Sequence, residues 1–172
     1  MQAMKLRIDM QDSAEMLAYR WRIVPKGEKE RLFSAAQDHL HLHYGELLIG
    51  DFLMCMRGDF GCIDVASGDD WCMATNAQYL WAMGFSPFAK SFAKMMGRLT
   101  VPPTPDEQRA QQYCVKMTLA ESVLVFAREY YGLPSLHDAE RLTVNEFVIA
   151  KKDAYNKAIT QRKLAEFMRV KR

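Results

Sequence analysis

Signals that start and stop helices in the second half of the chain constrain its fold more than any other feature. Thr104-Pro105-Asp106-Glu107 combines a capping Thr, Pro at the first helical position and a Glu that can bond back to the cap. Apolar residues then recur at spacings of three and four until Gly132 and Pro134, which end a helix. The recurring residues are Tyr113, Met117, Ala120, Leu124, Ala127 and Tyr131. This pattern predicts one helix from Pro105 to Tyr131.

A second helix start follows a short turn at Leu133–Arg141. Thr143 can cap the helix and Glu146 can complete the reciprocal bond, as Thr104 and Glu107 do earlier. The helix is predicted to continue to about Phe167, and the connection is short enough that the two helices must be neighbours. The residues expected either in the core of this helix pair or in contact with a partner are Leu142, Phe147, Val148, Tyr155 and Ile159.

The first half of the chain predicts further helices with weaker signals. They are Glu28–Asp38, Leu47–Arg57, Thr75–Met83 and a helix from Ser86 to about Met96, with a glycine-rich and aspartate-rich loop at Gly58–Asp70. Lys5–Met10 is expected to form a short strand or an extended arm. The fold class is therefore mainly α, a compact helical domain of about six to eight helices.

The length of 172 residues suits one domain or two small lobes. If there are two lobes, the prolines in Val101–Pro105 place the hinge between them. The expected lobes are an N-terminal helical lobe at residues 1–100 and a C-terminal helical hairpin with a basic tail at residues 105–172.

One internal similarity relates the two halves. Leu42–Gly50 parallels Leu142–Ala150, with Leu, Glu and Ile identical at three positions. Both segments lie at predicted helix starts, and shared helix-start chemistry explains the similarity better than a repeat does.

Composition and charge narrow the classes of function. Hydrophobic residues make up 49% and charged residues 26%, as in folded soluble proteins. No apolar run is long enough for a secretory signal or a membrane span, which predicts a cytoplasmic protein with no membrane partner. Residues 151–172 hold eight basic and two acidic residues. A solvated last helix explains this basic end better than a nucleic-acid contact, because the basic residues lack an aromatic interleaving suited to base stacking.

Three histidines are the strongest candidate metal ligands. On a strand, His39, His41 and His43 would share a face and could hold zinc with an open position. On a helix, a spacing of two residues would rotate the rings apart by about 200°. The helical pattern before them favours the second arrangement, so no metal site is predicted.

Catalytic motifs are absent from the sequence. It contains neither a Gly-rich phosphate loop nor a G-x-S-x-G elbow. Ser135, His137 and Asp138 are close in sequence, but Asp138 three residues after Ser135 indicates a helix turn. The chain is expected to have no catalytic residue, to need no cofactor and not to be an enzyme.

One motif spans the end of the first predicted C-terminal helix and the start of the second, within residues 126–157. Gly132-Leu133 ends one helix, Leu142–Phe147 starts the next with the letters LTVNEF, and Ala154-Tyr155 follows. This order resembles the tail assembly chaperones of tailed bacteriophages, small helical proteins in which Gly-Leu is followed by Leu-Thr-x-x-Glu-Phe and Ala-Tyr. The matched positions are Leu142, Thr143, Glu146, Phe147, Ala154 and Tyr155.

The resemblance implies a non-enzymatic helper that binds the tape-measure protein or recruits tail-tube subunits in the host cytoplasm. Phe147 and Tyr155 would then lie in the core or contact the partner. Twelve methionines suit either an irregular core or a surface that adapts to a partner. Two alternatives are a connector or tail-completion subunit that stays in the virion, and a nucleic-acid-binding regulator that uses the basic last helix.

Overall fold

The computed structural model describes residues 21–63 and 71–170, and within them the protein is mainly helical, as predicted. The α-helices are α1 (Lys26–Leu40), α2 (Ile49–Met56), α3 (Trp71–Arg98), α4 (Pro105–Gln111), α5 (Leu119–Tyr131), α6 (Leu136–Glu140) and α7 (Val144–Val170), and Tyr44–Glu46 forms a 3-10 helix. The arm or strand predicted at Lys5–Met10 lies outside the described residues, as does most of the loop predicted at Gly58–Asp70.

The chain divides into two units that are interleaved in sequence. The first unit contains residues 1–43 and 59–86, and the second contains residues 44–58 and 87–172. The boundaries do not coincide with Val101–Pro105, where the prolines suggested a hinge, and segment 44–58 groups with the second half of the chain.

The first unit is organised around the indole of Trp81, which is fully buried. Its ring stacks on Phe85 with centroids 5.8 Å apart, and its Nε1 donates a hydrogen bond to the Leu42 carbonyl at 3.1 Å. Gln78 donates from Nε2 to the carbonyl of Ile63 at 2.9 Å. Satisfying the polar atoms of these side chains allows them to be packed beside apolar groups at little cost.

The second unit has a core of aromatic rings. The ring centroid of Phe147 lies 5.8 Å from that of Phe92 and 5.5 Å from that of Phe126, and the centroids of Phe52 and Phe92 are 4.7 Å apart. The edge-to-face and tilted arrangements are those that aromatic quadrupoles prefer. Other buried residues of this unit are Leu47, Ile49, Leu53, Val123, Ala127, Ala139, Val144 and Ala150.

Two helix starts are paired in the second unit by a short antiparallel bridge. Leu48 pairs with Thr143. The amide of Ile49 donates to the Leu142 carbonyl at 2.7 Å, and the amide of Val144 donates to the Leu47 carbonyl at 2.9 Å. The two bonds are exchanged reciprocally, so segment 47–49 and segment 142–144 are related by a local two-fold axis.

Close contacts at two glycines follow the same local two-fold symmetry and show which segments it relates. A Cβ added at Gly45 would overlap the Asn145 side chain, and one added at Gly50 would lie 3.3 Å from Cβ of Glu140. The sequences LLIGDF at 47–52 and LTVNEF at 142–147 correspond across this axis. The structure thus aligns Leu47 with Leu142, whereas the sequence similarity aligned Leu42 with Leu142. The two alignments differ by five residues.

The helices predicted at Thr75–Met83 and from Ser86 are one helix, α3, and the predicted break is wrong. Gly84 and Pro87 lie inside it. A proline inside a helix costs about 3 kcal/mol or more through a lost hydrogen bond and a steric clash. Large buried side chains flank it, with Phe85 in the first unit and Phe92 in the second, and their packing offsets this cost.

The helix predicted from Pro105 to Tyr131 is two helices, and the prediction of one is wrong. The helix started by Thr104 ends at Gln111, and α5 begins at Leu119. A second capping box, in which Thr118 and Glu121 bond reciprocally, starts α5. The apolar spacing continues across the segment between these two helices, which is why the sequence suggested one helix. Thr118 separates that segment from α5, because a capping residue has non-helical dihedral angles.

Candidate functional site

Phe147 belongs to the core of the second unit. Its side chain is fully buried and contacts the rings of Phe92 and Phe126. Of the two roles that the sequence left open for this residue, its burial assigns the core role. The other predicted residues of this helix pair, Leu142, Val148, Tyr155 and Ile159, are half-buried.

The predicted capping residues are confirmed. Thr104 and Thr143 each accept a hydrogen bond at Oγ1 from the amide of the glutamate three residues later, and each Glu carboxylate accepts from the threonine amide. Bonding to Thr104 is the largest cause that holds the pKa of Glu107 below its ordinary value, with Arg162 adding to it. These four residues serve helix starts.

The histidine cluster lies at the end of a helix. His39 is in α1 and His41 is its C-cap in the left-handed conformation, at φ 49°. A strand that would place the three rings on one face is therefore not formed. Within residues 21–63 and 71–170, no group of three or more His, Cys, Asp or Glu is placed to hold a metal ion.

Ser135, His137 and Asp138 form a helix start, as their spacing indicated. Ser135 Oγ accepts a hydrogen bond from the Asp138 amide at 3.2 Å and caps α6. The His137 ring lies 3.0 Å from the Glu140 carboxylate and 3.4 Å from Arg141. The imidazole is thus directed to residues of its own helix and its C-cap.

A polar cluster joins α5 to the middle of α7. Tyr130 donates from its hydroxyl to Asp153, whose carboxylate also lies 2.6 Å from Nζ of Lys157. The Lys157 contact is the largest cause that lowers the pKa of Asp153, and Asp153 in turn raises the pKa of Lys157. These contacts hold α7 against α5 at Asp153, and α7 continues for several turns beyond that residue.

The last turns of α7 carry exposed apolar side chains that the sequence analysis did not single out. Leu164, Phe167 and Met168 are 57%, 66% and 70% exposed. Their spacing of three and four residues places them on one side of the helix. We name these three residues the α7 apolar face. The signal was present in the sequence, at the end of the helix that was predicted to continue to about Phe167.

The α7 apolar face lies on a different side of the helix from Arg162, which attaches this part of α7 to its own unit. Arg162 donates to the Pro102 carbonyl at 2.5 Å and to the Glu107 carboxylate at 3.1 Å. Because successive helix residues are rotated by about 100°, Leu164 lies about 160° around the helix from Arg162. The contacts of Arg162 therefore lie away from Leu164, and Leu164, Phe167 and Met168 remain exposed.

A second exposed apolar stretch connects α4 and α5. Tyr113 and Val115 are 90% and 94% exposed, and Met117 and Cys114 are also exposed. Tyr113 and Met117 were predicted on the packed face of one long helix, and that prediction is wrong because the helix is interrupted here. Among the cysteines, Cys114 is exposed in this stretch, whereas Cys55 is buried.

A groove of about 330 Å³ lies between α2, α5 and α6 in the second unit. Its lining includes the apolar residues Leu48, Leu53, Met54 and Leu124 and the charged residues Asp51, Arg57, Glu140 and Arg141. Two of these four charged residues are acidic and two are basic, so their charges favour neither an anionic nor a cationic ligand. It is a weaker candidate for a binding site than the α7 apolar face.

Comparisons with known proteins give no family. No protein-family model, curated protein or solved structure matches this chain. Among the helices of the described residues, none has the length and apolar character to cross a membrane.

Proposed function

We propose that this chain is a non-enzymatic helper in phage tail assembly that binds the tape-measure protein or a tail-tube subunit through the α7 apolar face. The observation that supports binding most directly is the exposure of Leu164, Phe167 and Met168 on one side of a helix. Contiguous exposed apolar groups rimmed by polar residues are typical of protein interaction sites. The assignment to tail assembly rests on the resemblance of residues 126–157, and the work would take place in the host cytoplasm.

The charge pattern favours a protein partner over nucleic acid. Lys157 is paired with Asp153, and Arg162 is paired with Glu107. These pairs reduce the positive charge that α7 could present to phosphates, which dominate nucleic-acid affinity. Apolar side chains, and not cations, occupy the centre of the exposed side.

A site-specific photo-crosslink tests the proposal. A photoreactive phenylalanine analogue placed at Phe167 is expected, on illumination during tail assembly in the native host, to capture the tape-measure protein or a tail-tube subunit. The products are identified by mass spectrometry. The same analogue at Lys152, which is exposed about 22 Å earlier along α7, is the matched control and should not capture that protein.

Two results would contradict the proposal. One is the absence of a tail protein from the Phe167 products, and the other is capture of the same set of proteins from both positions. Purified particles should lack the chain. Finding it there in stoichiometric amount would support a connector or tail-completion subunit instead.

A further inference from the structure

The α7 apolar face has the dimensions of a contact between two helices. Leu164 and Met168 are four residues apart and Phe167 lies between them, so the three side chains cover about one helical turn. Rows of residues spaced by three and four form the ridges that pack into the grooves of another helix. An amphipathic helix that lays its apolar side on such a surface is a recurrent form of peptide recognition.

Charges around this face are arranged asymmetrically. Lys163 is exposed one turn before Phe167, at about 40° from it around the helix, and has no ion-pair partner among the described residues. Lys157 lies within about 20° of the direction of Leu164. Glu166 is rotated by about 160° from Leu164, away from the face. Lys157 is paired with Asp153 at 2.6 Å, so Lys163 is the cation beside the apolar residues that has no ion-pair partner in the described part of the chain, and Glu166 points elsewhere.

The sequence reinforces this asymmetry. Residues 157–172 contain six basic residues and one acidic residue, which gives a net charge of +5 for that segment. A second copy of the chain would bring an equal positive charge to the same place, and like charges across an interface are unfavourable. The charge thus disfavours self-association through this face and favours an acidic partner.

We infer that the α7 apolar face binds an acidic amphipathic helix, whose apolar side covers Leu164, Phe167 and Met168 and whose carboxylates lie beside Lys163. This inference rests on the proposed function, because it names the class of segment that the tail protein would offer. Methionine at one of the three positions lets the surface adjust to the side chains of that helix.

Peptide binding to the full-length chain tests this inference. The probe is a fluorescently labelled synthetic amphipathic helix of about three heptads, with leucines on one side and glutamates beside them. Fluorescence anisotropy is expected to show binding that weakens as salt is raised. A peptide in which every glutamate is replaced by lysine should bind at least about tenfold more weakly.

Variants locate the binding on α7. Phe167→Ser should weaken binding of the acidic peptide about tenfold, and Lys163→Glu about fivefold. Lys152→Glu makes the same charge change at an exposed position about 16 Å earlier along the helix and should leave binding within about twofold. Because Phe167 and Lys163 are exposed, both variants should keep the thermal unfolding midpoint of the parent, measured by circular dichroism.

Several outcomes would overturn the inference. They are equal binding of the acidic and basic peptides, equal weakening by Lys163→Glu and Lys152→Glu, and tighter binding to duplex DNA or anionic vesicles than to the acidic peptide. A dimer in sedimentation that Phe167→Ser abolishes would also overturn it. If the Phe167 crosslink captures a tail protein through a segment that is not acidic, the proposed function stands and this inference fails. If the chain binds the acidic peptide selectively but Phe167 captures no tail protein, the proposed function fails and this inference stands.

Discussion

Two phenylalanines of α7 differ only in their surroundings. Phe147 is fully buried and contacts Phe92 and Phe126, whereas Phe167 is 66% exposed. Burial removes apolar surface from water and adds dispersion contacts, so only Phe147 contributes its full side chain to stability. A side chain that contributes little to folding and remains exposed is available to a partner.

Alanine substitution should separate the two roles. Phe147→Ala is expected to lower the free energy of unfolding by about 3–5 kcal/mol, because it removes transfer free energy and leaves a cavity. Phe167→Ala should change it by no more than about 0.5 kcal/mol. Urea denaturation followed by circular dichroism measures both. Comparable losses in the two variants would mean that the end of α7 is packed within the protein.

At the scale of single elements, three helices begin with the same arrangement of hydrogen bonds. Thr104, Thr118 and Thr143 each begin a helix with the same reciprocal bonding to a glutamate three residues later. At the other end of α5, Gly132 adopts the left-handed conformation and the Leu133 amide donates to the Arg128 carbonyl at 2.8 Å. These bonds satisfy backbone groups that would otherwise lack partners at helix ends.

The α5 capping box should make the start of that helix sensitive to acid. Bonding to Thr118 lowers the pKa of Glu121 from its ordinary value of 4.5. A carboxyl whose pKa is lower in the folded state stabilises it above the unfolded pKa, and this stabilisation is lost as the pH falls through the folded pKa. The protection of amides in the first turn of α5 against hydrogen exchange, relative to the intrinsic rate at each pH, should therefore fall more below pH 4.5 than the protection of amides at the middle of that helix.

A cap variant provides the control for this prediction. Thr118→Ala should raise the pKa of Glu121 toward 4.5, as followed by NMR titration, and should destabilise the protein by about 1 kcal/mol. Thr160→Ala, at an exposed position inside α7, should do neither. An unchanged Glu121 titration in Thr118→Ala would show that the box does not form in solution.

At the scale of the whole molecule, segments distant in sequence are joined by the local two-fold pairing of the second unit. Leu47–Ile49 and Leu142–Val144 exchange hydrogen bonds directly before α2 and α7. The pairing brings part of the first half of the chain into a unit formed mostly by the second half. It also places the buried starts of two helices side by side, with Phe52 and Phe147 at corresponding positions.

Proline at position 144 should weaken this pairing selectively. Proline is accepted at the first position of a helix, but it has no amide to donate to the Leu47 carbonyl. Val144→Pro is therefore expected to destabilise the protein by about 1 kcal/mol more than Val144→Ala, which shortens the same buried side chain and keeps the amide. Urea unfolding of both variants gives the difference, and equal values would mean that this bond adds no net stability.

Local interactions explain what the sequence determined by itself. Caps, helix stops and apolar spacing involve residues within about four positions of each other, so the mainly helical class, the starts of α4 and α7 and the end of α5 were predictable. The second capping box at Thr118 was equally readable but was obscured by an apolar spacing that continued across it.

Tertiary structure decided the rest, because burial depends on which distant segments meet. The continuation of α3 through Pro87 requires packing on both sides of the proline, and the bridge between Leu48 and Thr143 requires two segments far apart in sequence. Apolar residues occur along all of α7, and the sequence does not distinguish Phe147, which other helices cover, from Phe167, which is 66% exposed. The exposed face on which the proposed function depends is a property of the packed molecule.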